Sequence, residues 1–85
     1  MLTTENKTYD LIGKLAIALY GQQLQISLSS LNSILADKGL GYDSNRGLAS
    51  GVSAAYRRWE EIDPVIHHAI AYTFTDKNGD LPWDK

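Results

Sequence analysis

Apolar residues recur at helical spacing in four stretches of this chain, separated by short polar or glycine-containing breaks. In the first stretch, Leu11, Ile12, Leu15, Ala16 and Leu19 fall on one face of a helix. Thr3, Thr4 and Thr8 are candidate caps at its start, and Gly21 predicts its end, because glycine takes the left-handed conformation that closes many helices. Residues 22–26 read as a connector with a brief strand at Leu24–Ile26. A second helix starts near Ser27 or Ser29, whose hydroxyls suit an N-cap, and carries Leu28, Leu31, Ile34 and Leu35 on one side. Lys38 matches the negative end of its macrodipole and Gly39 its C′ position.

Residues 39–45 are turn formers and predict a loop. A third helix follows from Asn45 or Arg46, with Leu48, Val52, Ala55, Trp59 and Ile62 as a seam stepping by four and three. Arg46, Arg57 and Arg58 lie off that seam, and Asp63-Pro64 ends the helix, since the residue before proline avoids the helical region.

The last segment supports two readings. Asp63 as cap and Pro64 at the first helical position open a fourth helix reaching about Thr75, with Ile66, Ala69, Ile70, Thr73 and Phe74 at helical spacing. In the alternative, Ile70, Tyr72 and Phe74 alternate as a strand, Asn78-Gly79 turns, and Leu81 and Trp83 return along an edge that Pro82 limits. The helix is preferred, with a short tail at Leu81–Trp83 folded back onto the core. The expected architecture is therefore a mainly α, compact three- or four-helix domain spanning residues 1–85, with the C-terminal hairpin as the variant. Its expected core is Leu11, Leu15, Leu19, Leu31, Leu35, Leu48, Val52, Trp59, Ile66, Ile70 and Phe74.

Composition narrows the choices. Eighty-five residues allow one small domain, and 44% hydrophobic with 21% charged residues is the make-up of a folded chain. The absence of cysteine excludes disulfides and thiolate chemistry. The longest apolar run, Leu15–Tyr20, is six residues, too short for a membrane span or a signal-peptide core, so the expected location is cytoplasmic. Charge is uneven. Residues 38–58 carry Lys38, Arg46, Arg57 and Arg58 against Asp43 alone, net +3, whereas residues 1–37 sum to −1 and residues 59–85 to −4. A basic centre of this kind steers polyanions locally, unless it is simply a solvated, salt-bridged surface.

Catalytic and metal chemistry finds little support. His67 and His68 are adjacent and point about 100° apart on a helix, so they do not converge on one metal. Asp76, Asn78 and Asp80 start like a calcium loop, but Leu81 stands where its glycine belongs and no glutamate follows. Gly39, Gly41 and Gly47 follow a helix, not a strand, and lack the phosphate-cradling pattern. Glu60 and Glu61 are neighbours on different faces, and no serine comes with a base. The expectation is a non-enzymatic protein with no cofactor, no metal and no small-molecule substrate.

The stretch 26–62, a short capped helix, a glycine-containing turn and a longer helix with an apolar seam, resembles a helix-turn-helix or winged-helix domain. That resemblance implies a nucleic-acid-binding regulatory role, in which residues near the start of the second helix read base edges. Those positions are Ser44, Asn45, Arg46 and Ser50, with Lys38, Arg57 and Arg58 as phosphate contacts and the hairpin as the wing. The competing expectation is a small helical protein-interaction module. Its anchors would come from five tyrosines and two tryptophans, with Tyr42 and Tyr56 as candidate surface aromatics.

Overall fold

The computed structural model describes residues 4–75 and 78–83 and places four helices along them. They are α1 (Thr4–Gly21), α2 (Leu28–Asp37), α3 (Asn45–Ile62) and α4 (Pro64–Phe74). Among the described residues there is no strand, so neither the brief strand at Leu24–Ile26 nor the C-terminal hairpin exists, and the winged-helix variant falls with it. The physical reason lies in α4, where Ala69, Ile70, Thr73 and Phe74 are all buried. Two adjacent pairs four residues apart share one face of a helix, whereas a strand would send each pair to opposite faces. Gly79 does adopt φ 84° in a turn, but Leu81–Trp83 leave it as an irregular tail rather than a return strand. Thr3 as a cap, and Asp76 in the calcium-loop and wing readings, lie outside the described residues.

Helices α1, α3 and α4 contact one another pairwise, and α2 leans on α3. Their shared interior is Ile12 and Ala16 of α1, Leu31 and Leu35 of α2, Leu48, Val52, Ala55 and Trp59 of α3, and Ala69, Ile70 and Phe74 of α4. The expected core members Leu11, Leu15 and Ile66 sit at its margin, half-buried against it, and Leu19 is likewise only half-buried. Because α1 is covered by two helices at once, the centre of its contact arc falls on the Ile12–Ala16 row, one position round from the leucines. Ile62 is a second departure. As the last residue of α3, at the corner before Asp63, it is 54% exposed.

The helix ends follow from specific bonds. Asp63 serves two helices: its N–H donates to the Trp59 carbonyl, closing α3 at 2.8 Å, and its carboxylate accepts from the Val65 N–H at 3.0 Å, opening α4. Helix α2 ends in a Schellman motif, with Gly39 at φ 75° and the Leu40 N–H bonded back to Leu35. Helix α1 ends in the same motif, but the left-handed residue is Gln23, at φ 58°, and not the expected Gly21. The following connector caps α4 in turn. The Gln25 side chain donates to the Tyr72 carbonyl at 2.8 Å and the Ile26 N–H to the Thr73 carbonyl at 3.2 Å.

Helices α1 and α3 pack tightly at Gly13. A Cβ there would overlap the Trp59 indole, which donates its Nε1–H to the Tyr9 carbonyl at 2.9 Å.

Candidate functional site

The loop between α2 and α3 is pinned before α3 begins. Asn32 grips the backbone of Tyr42 with both ends of its amide: its Nδ2 donates to the Tyr42 carbonyl at 3.0 Å, and its Oδ1 accepts from the Tyr42 N–H at 2.7 Å. The Tyr42 ring packs toward the core and onto the bare backbone of Gly51, leaving no room for a side chain there. Two residues on, the Ser44 hydroxyl accepts from the Gly47 N–H at 3.0 Å and caps α3. This chain of contacts fixes where Asn45 and Arg46 emerge.

One face of α3 then lines a groove of about 600 Å³. Its floor is made of small residues, Ala49, Ser50, Ser53 and Ala54, with Asn45 and Arg46 at one end and Arg57 at the other. Leu28 at the start of α2 forms one wall, and Pro82 and Trp83 of the tail form another. The two arginines are eleven positions apart, about 16 Å along the helix axis. Both are exposed, and among the described residues neither has an ionic or hydrogen-bond partner and no carboxylate lines the groove. A small-residue floor between two unpaired guanidinium groups suits an elongated anion that approaches the helix backbone closely.

Four of the residues expected from sequence therefore converge here: Asn45, Arg46, Ser50 and Arg57. The others are placed elsewhere. Arg58 turns toward α1, where its Nε lies 3.6 Å from Asp10, an ion pair longer than a hydrogen bond. Lys38 is exposed at the C-cap of α2, outside the groove lining. Ser44 serves as the cap. Tyr42 is half-buried on Gly51, not displayed at the surface.

Tyr56 belongs to an aromatic stack. His67 stacks on it with ring centroids 3.8 Å apart and planes inclined by 28°, and Trp83 leans on it at 5.2 Å. His67 Nδ1 is 2.6 Å from the Tyr56 carbonyl, which only accepts, so Nδ1 carries the proton; Nε2 faces Glu60 at 3.5 Å. His68 points instead at Tyr20, edge-on at 5.5 Å, so the two histidines diverge. Among the described residues no group of three His, Asp or Glu is arranged to hold a metal ion, and no helix is long and apolar enough to cross a membrane.

Beyond Ser50, the floor and the walls were not picked out from the sequence. The small residues on α3 are visible as a row once the helix is drawn in projection. Leu28, Pro82 and Trp83 carry no such signal, because only the tertiary fold brings them to α3. Comparisons with protein-family models, curated proteins and solved structures find no match to this chain.

Proposed function

We propose that this is a small non-enzymatic nucleic-acid-binding domain that works through the outer face of α3, the position a recognition helix takes in helix-turn-helix proteins. The observation that supports this reading best is the groove itself. Arg46 and Arg57 stand free at its two ends, Asn45 flanks Arg46, Ser50 lies between the arginines, and no carboxylate is among the described residues that line it. Arginine forks bind phosphate in two-bond geometry, and asparagine bonds base edges. The test is an amide NMR titration with a mixed-sequence oligonucleotide at low and then physiological salt. Shifts should cluster on residues 45–57 and weaken as salt rises. Replacing Arg46 or Arg57 by alanine should each lower the steepness of the log K against log salt plot by about 1. A spectrum unchanged at low salt rejects the reading.

A protein-binding module is the second reading. It is favoured by Ile62, at 54% exposure, and Val65, at 58%, which sit close together at the α3–α4 corner. Association through that corner would be insensitive to salt and would be lost in an Ile62→Asp, Val65→Asp double variant while the groove arginines stayed irrelevant.

A further inference from the structure

We propose that the occupant of the α3 groove is a single-stranded polynucleotide rather than a duplex, with Trp83 as the surface on which one of its bases stacks. This rests on the nucleic-acid reading above and narrows its substrate.

The shape of the face favours a strand over a duplex. A major groove about 12 Å wide is filled by one helix of about 10–12 Å diameter, so a recognition helix must stand proud of its neighbours. Here the corresponding face of α3 is recessed, with Leu28 rising on one side and Pro82 and Trp83 on the other. An unpaired strand has no such width and fits into a channel.

The chemistry of the channel matches a strand along its whole length. Arg46 and Arg57, about 16 Å apart along the axis, span about five nucleotides of a stacked strand, fewer if it is unstacked. Between them the Ala and Ser floor lets a backbone lie close to the helix. Trp83 lines the groove together with Arg57 and packs at 5.2 Å on Tyr56, itself stacked on His67, a contact that limits the indole's freedom before any ligand arrives. A positive channel with an aromatic platform is how proteins hold single strands with little sequence preference, since every base offers a π-face.

The two tryptophans make the test direct. Trp59 is 8% exposed and tied to Tyr9, whereas Trp83 is half-buried in the groove wall, so quenching on binding reports Trp83. The full chain is titrated with an oligothymidylate of roughly ten nucleotides and with a duplex of equal length, at low salt, following tryptophan fluorescence and the anisotropy of a labelled strand. The oligothymidylate should bind roughly tenfold more tightly than the duplex and quench the emission. Trp83→Ala should weaken its binding roughly tenfold, Trp83→Phe should restore most of it, and duplex binding should not fall in either variant. The amide spectrum checks that the helices persist in both, and the wild-type quenching stands without any variant. Oligothymidylate binding without quenching, or a Trp83→Ala variant that binds it like wild type, overturns the proposal. Duplex binding at equal or higher affinity also overturns it while leaving the broader reading intact; binding of neither removes both.

Discussion

A methyl group at position 13 would occupy space that the Trp59 indole already fills, so a glycine in the middle of α1 is a packing requirement. On helix propensity alone Gly13→Ala would stabilise α1 by about 1 kcal/mol. With the indole in the way it should instead destabilise the protein by about 2–4 kcal/mol, by overpacking and loss of the Nε1–H bond to Tyr9, measured by urea unfolding. The sign alone distinguishes the two accounts. Gln23 runs the other way. It holds a left-handed conformation that side chains with a Cβ resist, so Gln23→Gly should stabilise by about 0.5–1 kcal/mol in the same assay. Neither residue was legible in the sequence. Periodicity says which face of a helix turns inward, and says nothing of how near the neighbour comes. Gly21 does end α1, as its position suggested, but the left-handed turn that closes it falls two residues on, at Gln23.

At the scale of the elements, punctuation was far more legible than closure. Ser27 and Asp63-Pro64 start α2 and α4, and Gly39 lies at C′ of α2, because caps and stops are local chemistry. The ambiguity at 64–83 was also local: Ile70, Tyr72 and Phe74 satisfy both periods, and only the contacts of α4 with α1 and α3 choose the helix. One such contact is the Thr73 hydroxyl, which donates to the Ala16 carbonyl at 3.3 Å. Ser44 offers an experiment that separates cap from contact. Ser44→Ala should lower stability by about 1 kcal/mol by leaving the Gly47 N–H without its acceptor. Ser44→Asp keeps a good cap, so stability should hold, while a carboxylate placed beside the groove weakens polyanion binding at low salt. A loss of binding in both variants with stability unchanged would contradict the capping role.

The whole molecule shares one interior among its four helices, so it should unfold as a unit. Calorimetry should find equal calorimetric and van't Hoff enthalpies of about 60 kcal/mol near 60 °C; an earlier separate transition from α2 would show that its contacts with α3 are too few to couple it. The candidate site was half legible at this scale. The arginines of α3 and their polar neighbours could be read from one helix, while the walls that turn a face into a channel come from distant parts of the chain. That same dispersal governs how the protein must be made. Trp59 bonds to Tyr9 across 50 positions and Thr73 to Ala16 across 57. At synthesis rates of about 5–20 residues per second, α1 leaves the ribosome roughly 3–10 s before the residues that cover its apolar stripe. A lone helix of 18 residues is marginal in water, so for those seconds the N-terminal segment is an unprotected, sticky strand of nascent chain. Anything that stalls translation within α3 or α4 prolongs that exposure, so paused chains should aggregate more readily than finished ones.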